Sequence, residues 1–175
     1  MWDLGGNLGL FTFSAACRAG GDGRVITVEA DTWNVSLLRR SAQLQRPASA
    51  QVDVVPAALS DRLGLANFNI AKRNRSTNAL EGFGLTDTGG VRETQTVPTI
   101  TLNSLAEHFP PPQVLKIDIE GAEALALTAA DDVLKSRPLV ICEVAEHNGK
   151  AVRDLFLSYG YSLFDADAAP PRPPV

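Results

Sequence analysis

The chain has 175 residues, 45% of them apolar and 21% charged, and its 16 Lys and Arg against 20 Asp and Glu leave a net charge of −4. That balance suits one globular domain with a buried core, excludes a chain disordered throughout, and argues against a nucleic-acid partner held by phosphate neutralisation. No apolar run approaches the roughly 18 residues of a membrane span and no charged-then-apolar leader precedes Gly5, so a cytoplasmic protein with no membrane partner is expected. The one basic cluster, Lys72-Arg73-Asn74-Arg75, is short. Cys17 and Cys142 lie in apolar surroundings without metal-ligand spacing, and they read as small core residues of a reduced protein.

Taken in order, a very short apolar start runs into a Gly-rich turn over 3–9, and residues 10–17 continue without a breaker as far as Gly20: strand stub, turn, helix. Residues 24–29 are β-branched and bounded by Gly23, a buried strand, and 34–45 place Val35, Leu37, Leu38, Ala42 and Leu44 near helical spacing. A third strand follows at 52–55. Residues 65–70 alternate apolar and polar like an exposed strand, 71–94 read as a mobile surface insertion, and 97–102 are extended. The alternation then resumes with a strand at 114–119, a helix at 122–134, a strand at 139–143, a helix at 152–159 closed by Gly160, and a short strand at 161–164. Pro170-Pro171-Arg172-Pro173-Pro174 cannot join a ladder, so the division expected is one domain over 1–165 and a Pro-rich tail over 166–175. Strands alternating with helices predict an α/β fold, a Rossmann-like, doubly wound and mostly parallel sheet whose ligands bind at the carboxyl ends of the strands.

The residues that carry chemistry should therefore collect at that edge. Asp3-Leu4-Gly5-Gly6-Asn7-Leu8-Gly9 opens the first helix, and Glu29 ends the second strand. Glycines let backbone approach a ligand, and a carboxylate at the second strand's end accepts hydrogen bonds from ribose hydroxyls, so the pair predicts a nucleoside site. A dinucleotide turn wants glycine where Asn7 and Leu10 stand. The leading acid, Asp3, complements an amino group near a sulfonium and would repel a pyrophosphate, which favours S-adenosyl-L-methionine over a nicotinamide cofactor. The plainer alternative is a Gly-rich turn that does no more than cap a helix.

Further along, Lys116 and Asp118 fall two apart on one side of a strand that should be apolar on both faces, and Glu120 and Glu123 follow in the turn. Glu123 reads as a residue favoured by the helix dipole, Gly121 as the turn, and Lys116 as a carboxylate's partner. Asp118 reads as functional, because an unpaired carboxylate at that depth is expensive outside a site. Asp118 and Glu120 lack a third ligand, so no metal is expected. Glu143 ends the next strand and opens the loop that carries His147 to the same edge. His147 is the better placed of the two histidines for a general base, since His108 follows a polar helix end before Pro110. Arg73, Arg75, Ser76, Thr77 and Asn78 read as solvated loop in preference to contacts with a polar or anionic substrate, and Trp33 as helix packing in preference to a wall of a base pocket.

Asp3-Leu4-Gly5-Gly6-Asn7-Leu8-Gly9-Leu10-Phe11, Val28-Glu29-Ala30, Ala57-Ala58-Leu59-Ser60-Asp61, Val97-Pro98-Thr99-Ile100-Thr101-Leu102, Leu115-Lys116-Ile117-Asp118-Ile119-Glu120-Gly121-Ala122-Glu123 and Ile141-Cys142-Glu143-Val144 together resemble the FkbM-type methyltransferases, in order, as far as about Phe164. The resemblance implies a Rossmann-like domain that binds S-adenosyl-L-methionine and methylates a hydroxyl of a sugar, glycan or polyketide-like acceptor. It implies that Asp3, Gly5, Asn7 and Gly9 line the methionine part, Glu29 the ribose with Ala30 beside it, and Leu59, Ser60 and Asp61 the adenine rim. It sets Asp118 and Glu143 against the transferred methyl or the acceptor, with His147 as base and Asp118 orienting. Two departures are expected: little chain ahead of the first strand, and no closing seventh strand after Phe164. A cofactor-binding but degenerate domain and a nicotinamide oxidoreductase are the alternatives.

Overall fold

The computed structural model describes residues 1–84, 89–166 and 168. In chain order the elements are β1 (Trp2–Leu4), α1 (Leu10–Ala19), β2 (Arg24–Glu29), α2 (Thr32–Gln43), β3 (Gln51–Pro56), β4 (Ala58–Leu59), β5 (Gly64–Ala71), β6 (Ala79–Leu80), β7 (Val91–Ile100), α3 (Leu102–Ala106), β8 (Val114–Ile117), α4 (Glu123–Leu127), α5 (Asp131–Lys135), β9 (Leu139–Cys142) and α6 (Gly149–Ser158). Five strands form one sheet in the order β3-β2-β1-β8-β9, and every neighbouring pair is parallel. The central strand, β1, is buried at all of its positions, as a strand covered on both faces must be. Trp2, Leu4, Leu115 and Ile117 are each at most 1% exposed, and burying each such side chain contributes about 1.5–3 kcal/mol. Helix α6 closes this core with Val152 and Phe156.

The chain winds outward from β1 to β3 and then returns on the other side of β1 with β8. The order reverses between β1 and β8, which opens a crevice at their carboxyl ends. The mostly parallel α/β sheet expected from the sequence is present, with an addition. Strands β4 to β7 form a second sheet, in the order β4-β7-β5-β6, built on a long antiparallel pairing of β5 with β7. Its apolar face, Phe68, Ile70, Leu80 and Val97, packs on Ala30 after β2 and on Ile119 and Ala122 after β8. The second sheet thereby stands on the carboxyl edge of the first, beside the crevice.

Several local expectations are corrected. The helix expected over 122–134 is two, α4 and α5, because Asn103 of α3 occupies the backbone groups at their junction. Asn103 N donates to Ala129 O at 3.0 Å and Asp132 N donates to Asn103 Oδ1 at 3.1 Å. The surface insertion expected over 71–94 is anchored at its middle: Asn78, Ala79 and Leu80 are 7, 4 and 6% exposed. There Asn78 Oδ1 accepts from Ala71 N at 2.8 Å and Nδ2 donates to Asp31 Oδ2 at 3.0 Å, tying the segment to the start of α2. Residues 85–88 of that segment lie outside the described residues, as do 167 and 169–175 of the Pro-rich tail. No strand forms at 161–164; Tyr161 instead packs its ring edge-to-face on Phe156, with centroids 5.4 Å apart. Cys17 is exposed on α1 and is not a core residue, whereas Cys142 is partly buried and packs against the main core. Burial and the nearby carboxylates push the Cys142 thiol up to about 12. Trp33 is 48% exposed on the first turn of α2 and not packed away. Among the described residues, no helix is long and apolar enough to cross a membrane.

Candidate active site

The turn after β1 is forced tight by the strands on either side. Gly5 N and Gly6 N both donate to Val28 O, at 3.0 and 3.1 Å, which presses the turn against the end of β2. Gly5 has φ +84, and a Cβ there would lie 1.8 Å from the Asp118 carbonyl oxygen, so the carboxyl ends of β1 and β8 meet only because residue 5 is glycine. Asn7 turns the chain with φ +48 and donates its N–H to Glu29 Oε2 at 2.7 Å. Glu29 Oε1 accepts from Asp31 N at 2.7 Å. The Glu29 carboxyl is 7% exposed and burial raises its pKa, while these backbone N–H groups pull it back.

Beneath the turn lies a buried charge cluster. Lys116 Nζ donates to Gly5 O at 2.9 Å and faces Asp118 Oδ2 at 3.2 Å and Asp3 Oδ1 at 3.3 Å. Asp3 is fully buried and accepts from Thr12 Oγ1 at 2.6 Å. The ring of Phe11 covers Lys116, its centroid 5.6 Å from Nζ. Asp118 is therefore not the unpaired carboxylate anticipated from the sequence; Lys116 pairs it from below, and its side chain is 33% exposed above.

The loop after β8 is held by Glu123, 2% exposed, whose Oε1 accepts from Gly121 N at 2.9 Å and Ile119 N at 3.3 Å. Asn148 closes the clasp from the loop after β9, donating from Nδ2 to Gly121 O at 2.6 Å and Glu123 Oε2 at 3.3 Å. Glu123 is a fastener of the turn as well as a first-turn acid. The clasp sets Glu120 in left-handed backbone, φ +54, ahead of Gly121. Glu120 is half-buried, and burial, with Asp118, Glu143 and Glu123 around it, raises its pKa to about 7.

Two cavities open here. The larger, about 240 Å³, is lined by Gly5, Asn7, Glu29, Asn34, Ser76, Asn78, Asp118, Ile119, Glu120 and Glu143. The smaller, about 60 Å³, is lined by Gly84, Asp118, Glu120, Gly121, Glu123, Glu143, Val144, Ala145 and His147. Asp118, Glu120 and Glu143 border both. Among the described residues, no Lys or Arg lines either one. Among the described residues, no three His, Cys, Asp or Glu side chains are grouped so as to hold a metal ion.

Of the residues singled out in the sequence, Gly5, Asn7, Glu29, Asp118 and Glu143 meet at the larger cavity, and Asp118, Glu143 and His147 at the smaller. Others stand elsewhere. Asp3 is sealed under the site, because its strand position points it into the sheet, where Thr12 and Lys116 take its oxygens. Gly9 starts α1 in left-handed backbone and Ala30 packs in the second apolar cluster. Leu59, 3% exposed, belongs to the main core, and Ser60 and Asp61 hydrogen-bond each other at 3.1 Å. The adenine rim expected at 59–61 is thus not part of either cavity: β4 leaves β3 and runs into the second sheet. Glu120 and Asn34 were not anticipated as site residues. A left-handed Glu and an Asn on a helix's first turn carry no spacing signal in one sequence.

A five-stranded parallel sheet with its crevice at the switch point, a Gly turn on one side and an acid at the end of β2, defines a Rossmann-like α/β domain. The chain belongs to the FkbM methyltransferase family: the methyltransferase FkbM domain matches residues 3–163. Its fold is similar to the crystal structure of methyltransferase FkbM from Methylobacillus flagellatus KT, with a TM-score of 0.59 at 18% identity over 91% of this chain. The chain spans 36% of that protein's length. No curated protein sequence matches it.

Proposed function

We propose that the chain is an S-adenosyl-L-methionine-dependent methyltransferase acting on a hydroxyl oxygen of a sugar, glycan or polyketide-like acceptor. The observation that carries this reading is the pair of adjoining cavities sharing Asp118, Glu120 and Glu143 at the switch point. The residues present fit that cofactor. Glu29, its oxygens fixed by the Asn7 and Asp31 N–H groups, offers acceptors to ribose hydroxyls, and the carboxylates of Asp118 and Glu143 suit an ammonium. The same carboxylates, with no Lys or Arg among the described lining residues, would repel a pyrophosphate, which argues against the nicotinamide alternative.

When bound, the cofactor supplies an electrophilic methyl group. The chain's own residues position the acceptor and move its proton. Lys116 holds Asp118 and the Gly5 carbonyl in place from below, so that Asp118 can orient the acceptor at the wall between the cavities. A sugar hydroxyl is too weak an acid to ionise alone near neutral pH, so a base must take its proton. The sequence pointed to His147, which is exposed and borders the smaller cavity alone. Glu120 borders both cavities and is held near neutrality, so the proton goes to the Glu120 carboxylate while His147 contacts the acceptor at the mouth. The acidic wall selects neutral hydroxyl acceptors over phosphorylated or carboxylated ones.

Calorimetric titration with S-adenosylhomocysteine tests the reading. The parent chain is expected to bind it, and Glu29→Ala to weaken binding by more than about tenfold. A parent chain that takes up no S-adenosylhomocysteine or S-adenosylmethionine would overturn the proposal.

A further inference from the structure

Asn34, on the first turn of α2, is 1% exposed and borders the larger cavity. Its Nδ2 makes one long hydrogen bond, to Asn7 Oδ1 at 3.5 Å, and its Oδ1 accepts none. Among the described residues, one other buried side-chain oxygen lacks a hydrogen bond, Asp3 Oδ1, and that atom has the Lys116 ammonium at 3.3 Å. Among the described residues, no cation compensates Asn34 in this way. Buried polar atoms are almost all paired in folded chains, so an unpaired acceptor on a cavity wall asks for a donor from outside the chain. Asn7 joins Asn34 to Glu29, since its Oδ1 takes the Asn34 amide and its N–H caps Glu29 Oε2. The Glu29 carboxylate receives the Asn7 N–H on one oxygen and the Asp31 N–H on the other, with a further backbone bond from Ala30, and one of its four acceptor positions is left for a ligand. Glu29 and Asn34, both on the wall of the larger cavity and joined through Asn7, together offer a ligand two acceptors. Two hydroxyls on neighbouring carbons answer them; a phosphate, which brings no donor and a like charge, does not.

We infer that Asn34 is a specificity-determining residue of the larger cavity: its amide oxygen receives one hydroxyl of a vicinal diol on the ligand while Glu29 receives the other. The inference rests on the reading that this cavity takes a nucleoside cofactor, and it assigns to Asn34 the recognition of one ribose hydroxyl.

Calorimetry with S-adenosylhomocysteine and its 2′-deoxy and 3′-deoxy analogues, on the parent, Asn34→Ala and Asn34→Asp, decides it. The parent should bind the ribonucleoside about tenfold or more tighter than either analogue. Asn34→Ala should lose affinity for the ribonucleoside and for one analogue, yet bind the analogue lacking the Asn34-bound hydroxyl as the parent does, so that this one preference disappears. Asn34→Asp, which keeps an acceptor, should restore it. A structural role would instead weaken all three ligands alike, and that result overturns the inference while leaving the cofactor reading standing. A parent that binds both deoxy analogues as tightly as the ribonucleoside overturns it without any variant. A parent that binds none of the three overturns the cofactor reading, and the assignment of Asn34 falls with it.

Discussion

Replacing Lys116 by Met is expected to destabilise the fold by about 3–5 kcal/mol, a fall in Tm of roughly 10 °C or more for a chain of this size. The ammonium is 8% exposed and has three oxygens within reach, the Gly5 carbonyl at 2.9 Å, Asp118 at 3.2 Å and Asp3 at 3.3 Å. Methionine fills similar space and keeps the contact with Phe11, so the loss is electrostatic. Asp3 decides the size of the effect: it has no exposure to water, and without Lys116 its carboxylate keeps, among the described residues, only the Thr12 hydroxyl. An uncompensated buried charge is the costly product of breaking such a pair. Adding Asp3→Asn to Lys116→Met should therefore return much of the lost stability in urea or thermal unfolding. If Lys116→Met melts with the parent, or if Asp3→Asn makes it worse, the cluster does not hold the carboxyl edge together as described.

Glu120→Gln should lower turnover by about 10²–10⁴-fold while leaving S-adenosylhomocysteine affinity nearly unchanged. The parent's turnover should rise with pH through about 7, where the Glu120 carboxyl ionises, and the variant should lose that rise. Stability moves the other way. Burial, with Asp118 and Glu143 beside it, lifts Glu120 from 4.5 when unfolded to about 7 when folded. The folded chain thus holds this proton more tightly, and stability is lost as pH climbs through that window. Gln carries no such charge, so the variant should be more stable than the parent at pH 8, by on the order of 1 kcal/mol after allowing for screening at a half-buried group, and equal to it at pH 4. Full turnover in Glu120→Gln with a true acceptor would move the base to His147, and a variant no more stable than the parent at pH 8 would contradict the burial argument.

By itself the sequence determined the sheet and the edge at which the site lies. Runs such as 24–29 and 114–119, β-branched or apolar, have few other ways to bury themselves; β2 begins and ends where the pattern puts it, whereas β8 stops at Ile117, two residues short of the expected end. Gly5, Asn7, Glu29, Asp118 and Glu143 were legible for the same reason: each sits at or just past a strand end, and strand ends are local features. The tertiary structure decided everything that depends on which partner a side chain meets. Asp3 and Lys116 are distant in sequence but paired across β1 and β8, so the acid expected to face a ligand is sealed beneath the crevice. Helix 122–134 breaks because Asn103 competes for its backbone, and Leu59 joins the main core where β4 pairs with β7. Glu120 and Asn34 acquire their character only in the fold, one from neighbouring carboxylates and burial, the other from the want of a partner. Periodicity reports burial along one segment, whereas charge pairing and hydrogen-bond satisfaction are sums over segments that only the folded chain brings together.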